Sequence, residues 1–313
     1  MATLKDVAEK TGISQAAASR ILNRDPSFSA TLDVRLAVFK AASELGYRTP
    51  RQKKDREGVF RVGIADWHVV PEYLEPCYAF LDGDSDGETE FVRLGRGEVE
   101  SLDGIIALGV FSDSEIDALL LSTSNIVFIN AEKTLDYTYN RIVIDFDLAL
   151  TNAIDYLSMF TDRIAYIGGI YRENGVVIGS HREAKIRGYL MEKGLYDDSL
   201  FFSGALKGEE GGAFVKEAVE KGAKALLVSS ELIEESALRE YGEEGLSIPI
   251  VIYRDIPLRT QDSRFPTIRM YSRTVWEIAW EVLYNSFKKP RKAVNTYVAA
   301  VFEENRIERR ETK

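Results

Sequence analysis

A small all-α head joined to a doubly wound α/β body is the architecture this sequence predicts, and three observations carry it. Residues 1–47 hold three short amphipathic stretches, separated by Gly12 and by Asn23-Arg-Asp-Pro26. Residues 60–253 alternate short apolar runs with amphipathic helical ones, the pattern of a parallel sheet covered on both faces. Charge divides at the same place: eleven Lys/Arg stand against seven Asp/Glu over residues 1–60, and 29 against 43 over the remaining 253. A basic head on an acidic body points the head toward a polyanion, although an excess of four charges is mild and the local pattern has to decide.

The first stretch opens with Thr3-Leu-Lys-Asp6, a hydroxyl before a helix and a carboxylate in its first turn, and Leu4, Val7 and Ala8 form one apolar stripe. Gly12 can take the left-handed conformation that ends a helix and reverses the chain. Ser14 is a good N-cap for a second helix running to about Leu22, with Ala18, Ile21 and Leu22 turned inward. A third helix is predicted over Thr31 to Leu45, burying Leu32, Leu36, Phe39 and Ala42, and Gly46 closes it. Helix, glycine turn, helix is the layout of a helix-turn-helix, which lays its second helix in the major groove. That helix exposes chemistry suited to base edges: Gln15 can bond adenine bidentately, Arg20 can bond guanine or phosphate, and Ala16 can meet a thymine methyl. On periodicity alone, a helical bundle with an ordinary polar face accounts for the pattern equally well.

The run Thr3-Leu-Lys-Asp-Val-Ala-Glu-Lys-Thr-Gly-Ile-Ser-Gln-Ala-Ala-Ala-Ser-Arg-Ile-Leu-Asn23 resembles, without a gap, the N-terminal signature of the lactose/galactose-type bacterial repressors. Phe28-Ser-Ala-Thr31 through Glu44-Leu-Gly-Tyr47 resembles that family's third helix. Ala17 and Ala18 depart from the pattern, which usually has Thr and a β-branched apolar residue there; losing the Thr hydroxyl removes a phosphate contact. The resemblance implies a DNA-binding domain over residues 1–47, with Thr3, Ser14, Gln15, Ala16, Ser19, Arg20 and Asn23 on double-stranded operator DNA. The linker, 48–58, departs further. It reads Arg48-Thr-Pro-Arg-Gln-Lys-Lys-Asp-Arg-Glu-Gly58 and lacks the Ala-Arg-x-Leu segment that many members fold into a minor-groove wedge. Either Arg51, Lys53 and Lys54 contact phosphates, or the segment is a solvated spacer.

In the body, strands are predicted at Phe60–Trp67, Glu90–Leu94, Gly104–Leu108, Ile126–Asn130, Ile142–Ile144, Arg163–Ile167, Leu200–Phe202, Ala225–Val228 and Ile250–Tyr253. Helices fall at Asp113–Leu121, Leu148–Phe160, Arg182–Lys193, Gly211–Lys221 and Ile233–Glu244. About 250 residues exceed what one such sheet needs, so two lobes with a cleft are expected. Val62-Gly-Ile-Ala-Asp-Trp67, Leu102-Asp-Gly-Ile-Ile-Ala-Leu-Gly109, Asn125–Asn130 and Arg163–Gly169 resemble the same family's effector-binding body, which has the fold of sugar-binding periplasmic proteins. The opening and the missing hinge leucine look most like the galactose-operon repressors of Gram-positive bacteria. The implied effector-binding and dimerisation domain covers 59–313, with an N-lobe of about 59–159 plus 270–292 and a C-lobe of about 160–269 plus 293–313.

For the effector, the resemblance places Arg182, four residues before Ile186, on sugar hydroxyls. Trp67 either stacks on a sugar face or packs within its lobe. Ser230 and Arg254 replace the polar residues that usually contact the ligand; either two guanidinium groups in one cleft favour an anion such as a sugar phosphate, or Arg254 turns outward or pairs with Glu231 and leaves a smaller neutral pocket. Tyr78, Ala79 and Phe80 could serve a dimer interface or the core.

Several chemistries find no support. A single cysteine, Cys77, excludes a disulfide framework, and His68 and His181 leave little for metal or acid–base work. Asp82, Asp84, Asp86 and Gly87 match the first half of a calcium loop, but Arg93 stands where its bidentate Glu belongs. Gly95-Arg-Gly-Glu-Val-Glu100 nearly reads as a dinucleotide fingerprint, yet Glu98 and Glu100 would repel a pyrophosphate. No Gly-x-Ser-x-Gly elbow appears, so no catalytic residue, metal or cofactor is assigned. No apolar run reaches the roughly 18 residues that span a bilayer, and the N-terminus lacks a secretory pattern, so a cytoplasmic protein without membrane contact is expected. The expected function is a homodimeric transcriptional regulator, a repressor of a sugar-utilisation operon that answers to a sugar or sugar phosphate. A member with an altered pocket, controlled by a phosphorylated metabolite or a protein partner, is the alternative; a sugar-processing α/β enzyme is the third class.

Overall fold

The computed structural model describes residues 2–25, 27–47, 49, 59–69, 89–129, 139–173, 176–254, 265–270, 272–288 and 292–304. The expectations for Arg51, Lys53 and Lys54, for Cys77, Tyr78, Ala79 and Phe80, and for the acidic run at Asp82, Asp84, Asp86 and Gly87 lie outside them.

The head forms as its caps dictate. Helix α1 (Leu4–Thr11) begins at Thr3, whose Oγ1 accepts from Asp6 N at 3.3 Å while Thr3 N donates to Asp6 Oδ2 at 2.7 Å. Gly12 ends it at φ +69°, where its N–H reaches Ala8 O and Glu9 O. Helix α2 (Gln15–Leu22) starts at Ser14, whose Oγ accepts from Ala17 N at 3.1 Å. Helix α3 (Leu32–Leu45) closes the core over Val7, Ala8, Ala18, Ile21 and Leu22. One detail differs from the sequence reading. Leu32 is 58% exposed at the first turn of α3, and Val38, at the 3.6-residue period with Ala42 and Leu45, is buried instead.

The body alternates as predicted: β1 (Phe60–Ala65), β2 (Thr89–Arg93), β3 (Gly104–Leu108), α4 (Asp113–Ser122), β4 (Ile126–Ile129) and β5 (Asn140–Asp145) come first. They are followed by α5 (Asp147–Ser158), β6 (Ile164–Gly169), a hairpin of β7 (Tyr171–Glu173) with β8 (Val176–Ile178), α6 (Ser180–Glu192) and β9 (Phe201–Gly204). Then come α7 (Glu210–Glu220), β10 (Ala225–Val228), α8 (Glu231–Glu243), β11 (Ile250–Arg254), β12 (Thr267–Arg269), α9 (Ser272–Lys288), β13 (Asn295–Ala299) and β14 (Val301–Glu303). Two six-stranded sheets result, ordered β13-β5-β4-β3-β1-β2 and β14-β12-β11-β10-β6-β9. The central strands β1, β3, β4, β6, β10 and β11 read as nearly continuous apolar runs, as strands buried on both faces must.

The chain divides into two compact units: residues 1–143 with 273–297, and residues 144–272 with 298–313. The first holds the head as well as the first sheet's core, and α5, which the sequence reading gave to the N-lobe, belongs to the second. Helix α9, which the sequence reading passed over, packs onto the first sheet: Phe60 stacks on Phe287 at 4.5 Å between centroids, and Trp280 meets Phe91 edge-on at 5.3 Å. Among the described residues no helix is long and apolar enough to cross a membrane.

In each sheet the first strand of its unit sits between the second and the third, β1 between β2 and β3, and β6 between β9 and β10. Each order creates a switch point, and α/β sheets take ligands outside the carboxyl ends of the strands at such a point.

Candidate DNA-reading face and effector group

On α2 the inward side is buried and the outward side is largely exposed. Ala18 and Ile21 are at most 1% exposed, whereas Gln15, Ala16 and Arg20 are exposed and Ser19 is half-buried. The Arg20 guanidinium lies 3.7 Å from Asp25 Oδ2 and 5.7 Å from the centroid of Phe28. Asn23 caps the helix by donating from Nδ2 to Ser19 O at 2.8 Å, and Thr3 and Ser14 hold their own N-caps. Three side chains therefore present an amide, a methyl and a guanidinium on one short helix, and α1 and α3 fix its angle. Hydrogen bonds from Ser27 hold the Asp25 carboxyl below its usual range, so it stays ionised beside Arg20 at neutral pH.

The second unit gathers a polar group at the carboxyl ends of β6, β10 and β11. Tyr166, 1% exposed, accepts from Ser229 Oγ at 2.9 Å through its hydroxyl, and burial raises its pKa. The Arg182 guanidinium lies 4.7 Å from the centre of the Tyr253 ring, in cation–π contact. Gly179, at φ +91°, opens α6 beside it; a Cβ there would stand 2.8 Å from Gly169 O. Ser230 is buried and caps α8, its Oγ accepting from Leu232 N at 3.3 Å. Glu183 accepts from Ser203 Oγ and from Arg187 Nη2, the latter at 3.3 Å. A concavity of about 480 Å³ lies in the same unit, lined in part by Arg172, Ser203 and Lys207. The side chain of Arg254 falls outside the described residues. Sequence reading missed Tyr166, Ser229 and Tyr253; the signal for them was an aromatic or hydroxyl residue in or just after an apolar strand. His181 is exposed.

Trp67 lies half-buried at the first unit's switch point. Its ring meets Phe111 edge-on at 5.5 Å, and its Nε1 donates to Leu94 O at 2.6 Å. Next to it, His68 Nε2 lies 2.9 Å and 3.0 Å from the two Glu115 carboxylate oxygens, and Arg96 Nη2 lies 2.9 Å from Glu115 Oε1. Burial pushes the Glu115 carboxyl up, but hydrogen bonds from Ser112 N, His68 and Ser112 Oγ outweigh it and hold the pKa down. The near-fingerprint at Gly95 is a turn: Glu98 folds back and accepts from Gly95 N at 2.8 Å, the place a phosphate would need. No cluster of three or more possible metal ligands occurs among the described residues.

Comparison with known proteins agrees with this geometry. Residues 3–50 match the model for bacterial regulatory proteins of the lacI family. The chain is 25% identical over 314 residues to the HTH-type transcriptional regulator GalR of Streptococcus thermophilus, covering 93% of this chain and 95% of that protein. It is 27% identical over 330 residues to GanR, an HTH-type transcriptional regulator of Bacillus subtilis, covering 96% and 97%. In fold it is similar to the transcriptional regulator CelR solved as a cellobiose complex, with a TM-score of 0.61 at 19% identity, over 97% of this chain and 99% of that one. The helix-turn-helix, the two doubly wound sheets and the end-to-end alignment with regulators converge: residues 3–50 form a DNA-binding head of the lacI type of bacterial regulatory proteins, on a chain similar along its length to HTH-type transcriptional regulators.

Proposed function

We propose that this regulator represses a sugar-utilisation operon as a homodimer, reading a palindromic operator through Gln15, Ala16 and Arg20 of α2. The observation that carries the reading is the division of α2 into a fully packed inner face and an exposed outer face of base-reading side chains. A single head covers too little DNA for tight specific binding, so two heads on two half-sites supply the affinity. A small sugar or sugar phosphate engages Arg182, with Tyr253 and Tyr166 beside it, at the carboxyl edge of the second sheet, and shifts the body between two states that differ in operator affinity. Support comes from the switch-point position of these residues and from the cellobiose held by a regulator of the same fold. A sugar offers hydroxyls, and a sugar phosphate an anion, to the guanidinium that the buried Tyr253 ring holds in place.

The test is operator binding titrated with neutral sugars and their phosphates. One of them should weaken or strengthen the complex, and Arg182→Ala should abolish that response while leaving operator affinity without effector unchanged. A full response in Arg182→Ala would place the effector elsewhere.

A further inference from the structure

The linker, residues 48–58, contains no leucine, so a direct contact between head and lobe bears on the direction of the head. The first unit contains a contact of the right kind. Arg24, directly after α2, holds a left-handed backbone at φ +53°, a conformation that glycine or asparagine adopts with less strain. From there its side chain leaves the head. Nη1 donates to Glu100 O at 3.2 Å, in the segment between β2 and β3, and Nη2 donates to Ser122 O, the last carbonyl of α4. The guanidinium also lies 5.4 Å from the centre of Phe39 on α3. A helix carboxyl end carries partial negative charge, and a planar fork with several donors can serve two carbonyls at once. Burial lowers the Arg24 pKa to about 10, so the group is charged at neutral pH. Its acceptors are tied together as well, since Glu100 N donates to Ser122 Oγ at 3.1 Å and Leu102 N shares the Ser122 carbonyl at 3.5 Å. Around this cation, α3 packs on α4, and the buried apolar residues of the head join those of the lobe in one continuous cluster, from Ile21 and Phe39 to Leu102 and Leu119. Gln15, Ala16 and Arg20 remain exposed with the head so docked.

We infer that Arg24 latches the head onto the first sheet's lobe and fixes the direction of α2, a positioning role that a folded hinge segment would otherwise fill. Arg24 is a positioning residue: it reaches the lobe, and α2 reaches DNA. The latch depends on two backbone carbonyls, so it requires the guanidinium and not charge alone. It explains why a strained arginine stands at a turn position where a small residue would suffice for the turn.

Backbone amide relaxation of the full chain without DNA tests the latch independently of operator or effector. In the wild type, amides of α1–α3 should report the same rotational correlation time as those of β1, β3 and α4. Arg24→Ala should shorten the value for the head alone while its amide dispersion stays native, and it should speed exchange at Leu102. Arg24→Lys, which keeps the charge but loses the fork, should also release the head. Head amides that tumble faster than the lobe in the wild type would overturn the inference, with no variant needed. So would a folded Arg24→Ala whose head still tumbles with the lobe.

Discussion

Replacing Arg20 by alanine separates reading DNA from folding. In the free protein its guanidinium is 3.7 Å from Asp25, with side chains 56% and 30% exposed, and its stacking on Phe28 is loose at 5.7 Å. An exposed pair of this kind contributes about 0–1 kcal/mol, so the thermal midpoint of the head should scarcely move. On DNA the same group can place two parallel N–H donors on a guanine edge, worth about 1–3 kcal/mol. Arg20→Ala should therefore raise the operator Kd by roughly 5- to 150-fold at fixed salt, read by fluorescence anisotropy against a labelled operator duplex. The loss should be smaller on non-specific DNA, which has no guanine contact to lose. Asp25 gives an opposite control. Held ionised by Ser27, it competes with DNA for Arg20, so Asp25→Asn should strengthen binding and steepen the salt dependence. Equal operator affinity for wild type and Arg20→Ala would refute the docking of α2 argued above.

Two further perturbations follow from the packing and the titration of the chain. Gly211 lets α7 approach α8 so closely that a Cβ would stand 2.1 Å from Ile233 O; Gly211→Ala should cost the second unit about 1–3 kcal/mol in chemical denaturation while operator binding at low temperature persists. Asp6 is held below its ordinary value of 3.8 first by the Thr3 backbone N–H and then by the Thr3 hydroxyl, so its contribution is complete above 3.8 and is lost as pH falls through the lower folded value. Amide signals of α1 should therefore weaken below pH 3.8 in the wild type, and Asp6→Asn, already lacking the cap, should show a flatter acid limb; identical limbs would contradict the assignment.

Local rules made the head legible in sequence. Thr3, Asp6, Gly12 and Ser14 act within a few residues of themselves, and each sits in the structure as its chemistry requires. Strand and helix alternation exposed the sheets for the same reason, since strands buried on both faces are apolar throughout. Reading failed where long-range packing decides. Leu32 looked like core by spacing, but nothing covers the first turn of α3 enough to bury it. Helix α9 carried a helical period in Val275, Trp276, Ala279, Leu283 and Phe287, yet its place against Phe60 and Phe91 depends on residues about 200 positions away. Trp67 at a strand end fits a ligand stack or a core equally well by spacing, and its neighbours Phe111 and the Leu94 carbonyl are ones that no local rule names. Arg24 gave no sequence signal at all, because its partners are backbone carbonyls of residues 100 and 122.

Selection of bound duplexes from a random library, run with the wild type and with Gln15→Ala, tests the central claim that α2 reads base sequence. The wild type should enrich one motif with two-fold symmetric half-sites, and Gln15→Ala should relax the preference at one position in each half-site while the rest of the motif stays. Failure to enrich any motif, or an unchanged motif in Gln15→Ala, would contradict it.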